Sequence, residues 1–144
     1  MVGMNLDLSS LGKAIAQLET SLALCDSDLP KKYPVLVDQL RSATIQAFEY
    51  TYELAWKMLK RYLQMTEANS DVIEEMTFQN LIRTGFEKGL TQSSMDVWKR
   101  FREARSISSH TYDHEKAVAV FKVVPDFVEE VRYLFDMLSA RIKV

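Results

Sequence analysis

The stretch Arg105-Ser106-Ile107-Ser108-Ser109-His110-Thr111-Tyr112 puts a guanidinium, an imidazole and a phenol within eight residues. Only two histidines occur in the chain, His110 and His114. An arginine fork suits a phosphate, and a histidine can take or give a proton near neutral pH. Together they are the minimum for metal-free cleavage of an RNA phosphodiester. The histidine would act on the 2′-hydroxyl or the leaving oxygen while the arginine steadies the charge on the phosphate. On one continuous helix, residues five apart point about 140° away from each other, so both could not reach one substrate. A helix end between Arg105 and His110 relieves that restriction. The competing structural reading is an arginine that satisfies helix-end carbonyls beside a histidine stacked on Tyr112.

Trp98, Phe101 and Arg105 recur at the spacing of one helical face, so the arginine continues an apolar stripe. Desolvating a guanidinium is costly. Either a carboxylate meets it, or the stripe opens there into a pocket or interface. Glu49 and Glu53, spaced i, i+4, repel each other unless a cation joins them. They read either as a solvated ladder, with Glu53 pairing to Lys57, or as the source of a carboxylate that orients Arg105. Lys99, Arg100, Arg102 and Arg105 form a local basic cluster that reads as a solvated face or as a phosphate contact.

Other chemistries fit less well. Four scattered glycines cannot build a phosphate-cradling loop. Asp26-x-Asp28 has the spacing of paired nucleotidyltransferase acids but lacks a Gly-Ser before it and a strand to hold it, so it reads as a helix terminus. Neither histidine follows a glutamate by three residues, as a di-iron bundle requires. His110 and His114 would share a face on one helix and could chelate zinc. Asp113 as an N-cap would put His110 outside that helix, so neither a metal nor any other cofactor is expected.

The 144 residues are most simply one domain, 1–144, with 47% hydrophobic and 26% charged residues. Net charge is −2, so the protein as a whole is no nucleic-acid magnet. The longest nearly apolar run, Ala117 to Val124, is too short to span a bilayer. Met1 to Leu11 has no basic segment followed by an apolar core, so no signal peptide is expected. The single cysteine, Cys25, suggests a reducing compartment, and the cytoplasm is the natural expectation.

These residues must be positioned by helices. Leu11, Ile15, Leu18 and Leu22 place one helix over about Leu8–Cys25, ended by Asp26-Ser27-Asp28-Leu29-Pro30. Pro34 suits the first turn of the next. There Val37, Leu40, Thr44, Ala47, Thr51, Leu54, Met58 and Tyr62 keep a 3-4 spacing over about seven turns. Thr66–Met76 reads as a loop, and Thr77–Glu87 as a short helix stopped by Gly89. Ser93 or Ser94 caps a helix that should fray across Ser106–Ser109, where hydroxyls compete for backbone groups. Asp113 caps the last helix, striped by Ala117, Val120, Val124, Phe127, Val131, Leu134 and Leu138, with a kink or break at Pro125. The expected fold is all-α: an antiparallel up-and-down helical bundle of four main helices plus a short one. Wide apolar faces that include Phe48, Tyr52, Phe121 and Phe135 favour a homodimer.

Three stretches carry a family likeness. Ile45 to Lys60 resembles the signature long helix of the HEPN superfamily, in particular its HepT-like group, also called nucleotidyltransferase substrate-binding proteins. Phe78 to Leu90 is similar to that group's short helix and turn. Trp98 followed by Arg105–Asp113 resembles its Arg-x4-His-x-Tyr motif. The resemblance spans nearly the whole chain. It implies a HEPN-like bundle that dimerises so that two such motifs face a shared cleft, and a separate small nucleotidyltransferase partner. It further implies a ribonuclease toxin acting on RNA, silenced when the partner transfers AMP to the motif tyrosine. Carried over, Arg105 and His110 are catalytic and Tyr112 is the acceptor. Ser106, Ser109, Asp113, Glu49 and Glu53 hold supporting motif positions. Ser106 stands where the family often has Asn, and a hydroxyl reaches less far and offers no amide donor. That departure leans toward the alternative, a non-catalytic substrate- or nucleotide-binding subunit of a nucleotidyltransferase. A bare dimerisation scaffold would instead show Arg105 bridged to Glu49 or Glu53 and opening onto no cleft.

Overall fold

Long runs of 3-4 apolar spacing with few breakers become long helices in the computed structural model, which describes residues 6–142. In chain order they are α1 (Ser9–Cys25), α2 (Leu29–Lys32), α3 (Leu36–Thr66), α4 (Ser70–Glu74), α5 (Phe78–Glu87), α6 (Met95–Ile107) and α7 (His114–Ile142). A 3-10 turn, Ser108–His110, joins α6 to the last connection. No strand occurs among the described residues. No helix among them is long and apolar enough to cross a membrane.

The four main helices α1, α3, α6 and α7 form the up-and-down bundle, with α5 as the short helix. α1 packs along α3 and α7, and α6 along α7. Every residue of the stripe foreseen on α7 is buried. At the centre, Phe127 meets Phe48 of α3 edge-on at 5.0 Å, Phe101 of α6 at 5.3 Å and Trp98 of α6 at 6.4 Å. These four rings are fully buried, so the aromatic centre fixes α3, α6 and α7 against one another. That is the register on which the candidate site depends. Glu130, only 1% exposed, accepts from the Gln92 N–H at 3.0 Å and ties the α5–α6 connection to α7.

Several local expectations need correction. Thr66–Met76 is not all loop: Asn69 accepts from the Asp71 N–H at 3.1 Å and starts the single turn α4. α1 does end before Asp26, as expected, but Leu29 and Pro30 at the end of that stretch begin the short helix α2, where the fixed φ of Pro30 suits a first turn. α6 does not fray at Ser106; it stays α-helical through Ile107. The Ser106 and Ser108 hydroxyls donate back to the Glu103 and Arg105 carbonyls, both at 2.7 Å, and so follow the helix instead of competing with it. α7 runs unbroken through Pro125, which is exposed, so the carbonyl freed one turn earlier can bind water. Gly89 does end the α5 turn, at φ 74°. The surplus apolar face is smaller than foreseen. Phe48 and Tyr52 are in the core, while Phe121 and Phe135 are part-buried under the Arg41 and Arg132 guanidinium groups.

A carboxylate-held arginine at the rim of a groove

Arg105 sits one turn beyond Phe101 on the inward face of α6. Its Nη1 donates to Glu49 Oε2 at 3.0 Å and to Ser108 Oγ at 3.2 Å. Its Nε lies 3.3 Å from Glu53 Oε1, an ion-pair distance, but that N–H is not aimed at the carboxylate and makes no hydrogen bond. Glu49 and Glu53 are thus joined by one cation, which relieves the repulsion of their i, i+4 spacing. Glu53 is held further by the Trp56 indole N–H at 3.2 Å. The expected Glu53–Lys57 pair does not form: Lys57 lies over the Trp56 ring instead, 5.8 Å from its centroid.

Both alternatives posed by the stripe are realised together. Carboxylates meet Arg105, and 32% of its side chain still reaches solvent. It lines a groove of about 460 Å³ between α3, α5 and α6. Tyr52, Trp56 and Phe78 supply aromatic wall, Met76 and Leu81 apolar surface, and Lys60 and Arg102 positive charge. Ser106 stands at the same groove with its hydroxyl bonded to the Glu103 carbonyl. Burial pushes the Tyr52 hydroxyl pKa well above the usual phenol value, so that group stays neutral and a donor.

His110 closes the 3-10 turn after α6 and is exposed. Tyr112 is 86% exposed, and its ring meets that of His110 edge-on with centroids 6.1 Å apart. Neither lines the groove that Arg105 borders. A helix end does separate Arg105 from His110, as their five-residue spacing demands. Asp113 accepts from the Glu115 and Lys116 N–H groups at 3.0 and 3.3 Å, capping α7. His110 therefore lies outside the helix that begins at His114, and the two imidazoles do not share a helical face. Ser109 is exposed on the same turn.

Residues 6–140 match the family described as nucleotidyltransferase substrate binding protein like. The chain belongs to that family. It is 38% identical over 138 residues to the probable ribonuclease HepT of Haemophilus influenzae, covering 94% of each chain. It is similar to a solved Haemophilus influenzae structure described as the fold of a substrate-binding domain of a nucleotidyltransferase. That match has a TM-score of 0.86 at 35% identity and covers 92% of this chain and 99% of the other. A solved protein from Thermus thermophilus matches with a TM-score of 0.67 at 30% identity, covering 93% of this chain and 99% of the other.

In this nucleotidyltransferase substrate-binding-like bundle, one site residue had gone unremarked. Ser108, buried, lies 2.7 Å from Glu49 Oε2 as well as from the Arg105 carbonyl, so its one proton serves either acceptor. It accepts from Arg105 Nη1 at the same time and closes an Arg105–Ser108–Glu49 ring of contacts. Its position three residues after Arg105 was the available signal, since i and i+3 share a helical face. Ser106 and Ser109 are exposed by contrast.

Proposed function

We propose that this chain is a HepT-like, metal-independent endoribonuclease, the toxin member of a pair with a small nucleotidyltransferase, acting as a homodimer. The carrying observation is Arg105: a guanidinium locked by Glu49 and Ser108 at the end of α6, one helix end away from an exposed imidazole. A charge held in one orientation costs little reorganisation when a phosphate arrives. In this reading His110 takes the 2′-hydroxyl proton and the freed oxygen attacks the adjacent phosphorus. The 5′-oxygen leaves and picks up a proton, and Arg105 balances charge on the phosphoryl oxygens. The products carry a 2′,3′-cyclic phosphate and a 5′-hydroxyl end. Because His110 stands off the groove beside its own Arg105, a two-fold pairing of α6 ends supplies the shared cleft.

Tyr112 is the modification acceptor. Its exposure makes the hydroxyl reachable by a separate enzyme, and an added AMP would place bulk and negative charge beside the imidazole, repelling RNA. The single cysteine supports a cytoplasmic setting.

One observation favours a second reading, a non-catalytic partner that presents substrate to its nucleotidyltransferase. Arg105 is already engaged by two carboxylates, and His110 is not at its groove. The two readings separate in one assay. Purified protein is incubated with end-labelled single-stranded RNA in EDTA, and the product ends are identified. Fragments ending in 2′,3′-cyclic phosphate are expected. Intact RNA, with the protein co-purifying with a nucleotidyltransferase, selects the second reading.

A further inference from the structure

We propose that Glu53 gates Arg105: its carboxylate occupies the guanidinium edge that a phosphate must grip, and swings to Lys57 when one arrives. This regulation rests on the phosphate role proposed above for Arg105. The two carboxylates beside the arginine are not equivalent. Glu49 is fixed from two sides, accepting from Arg105 Nη1 at 3.0 Å and lying 2.7 Å from Ser108 Oγ. Its side chain is 26% exposed, and it does not line the groove. Glu53 is 36% exposed and lines the groove beside Arg105. Its Oε2 accepts from Trp56 Nε1, whereas its Oε1 lies 3.3 Å from Arg105 Nε without a hydrogen bond.

A guanidinium grips a phosphate best through two parallel N–H groups. The hydrogen bonds Arg105 makes among the described residues run from Nη1, so an end-on grip would share that nitrogen with Glu49 and Ser108. The grip that leaves both bonds intact uses the other edge, Nε with Nη2. Nε is buried and unbonded, with the Glu53 carboxylate beside it. A phosphate oxygen and a carboxylate oxygen are both negative and cannot share that place, so Glu53 must leave. Lys57, exposed and one turn along α3, stands at the i, i+4 spacing at which Glu and Lys pair. It lies instead over the Trp56 ring. The unformed Glu53–Lys57 pair is the open position of the gate, and the Arg105 contact its closed one. Opening gives up one hydrogen bond, from Trp56, and an ion contact that is not hydrogen-bonded.

The full chain is titrated with inorganic phosphate at constant ionic strength, and binding is followed by phosphorus-NMR line broadening, with thermal melts as the folding control. Glu53→Gln keeps the shape and the carbonyl that the Trp56 indole needs but removes the charge from the Arg105 edge. Phosphate affinity should then rise about tenfold, the scale of one unit charge a few ångström away at a half-exposed site. Glu49→Gln should lower it, since that carboxylate fixes the arginine. Lys57→Met should weaken phosphate binding in the wild-type background and leave it unchanged beside Glu53→Gln. Single-turnover RNA cleavage should follow the same order. Phosphate affinity no higher in Glu53→Gln than in wild type, or no binding by either, would overturn the proposal. So would an equal rise in Glu49→Gln, which is plain charge removal. A Lys57→Met loss that persists beside Glu53→Gln would put Lys57 on the phosphate directly and overturn the exchange. A wild type that cuts no RNA sinks the ribonuclease reading, while the phosphate titration still decides the gate. Wild-type cleavage with neither rate nor phosphate affinity raised in Glu53→Gln sinks the gate alone.

Discussion

Replacing His110 by alanine is expected to slow RNA cleavage by about 10²–10⁴-fold, the usual contribution of a positioned acid or base, while leaving the melting midpoint unchanged. The side chain is exposed, and the contact seen for its ring is the edge of Tyr112. Removing it opens no cavity and orphans no buried partner, so the stability change should stay within about 0.5 kcal/mol. Arg105→Ala is a less clean change. It strips Glu49, Glu53 and Ser108 of their shared cation and leaves two carboxylates facing each other, so lost rate and lost stability arrive together. Single-turnover cleavage and a thermal melt on the same His110→Ala preparation separate the two effects. Cleavage at the wild-type rate would remove the histidine from the chemistry.

The second large effect is on stability. Phe127→Ala should cost about 3–5 kcal/mol, as deletion of a buried aromatic ring typically does. Phe127 is fully buried and touches Phe48, Tyr52, Trp98 and Phe101. The cavity left behind would border both helices that build the arginine cluster. Phe48 precedes Glu49 on α3, and Phe101 lies one turn before Arg105 on α6. Phe127→Leu, which keeps much of the volume, should lose less. Urea unfolding measures both variants; a loss below about 1 kcal/mol for the alanine form would mean the centre of the bundle lies elsewhere.

The helices were legible where burial dictates pattern. The α7 stripe is buried throughout, because a helix packed along most of its length must keep one apolar face. At the start of α3 the same periodicity misleads: Val37 is exposed, since that turn projects beyond the core. The one-turn helix α4 escaped because five residues carry no period, only an Asn cap. The oddity of Arg105 on an apolar face was readable, and so was the tension between Glu49 and Glu53. The sequence offered Glu49 or Glu53 as the carboxylate for Arg105 beside a solvated-ladder reading; that both meet the one cation depends on how α6 crosses α3. The i+3 spacing of Ser108 from Arg105 places it on the same face, but its contact with Glu49 depends on how α6 meets α3. Nor could spacing announce the groove, whose wall comes from α3, α5 and α6 together.

The central claim is that Arg105 and His110 serve one reaction. A double-mutant cycle tests it most directly, comparing RNA cleavage by wild type, Arg105→Ala, His110→Ala and the double variant in EDTA. Residues that act as a unit are strongly non-additive, so the double variant should cut no more slowly than the slower single one. A double variant slower by the product of the two single effects, or a wild type that leaves RNA intact, would contradict it.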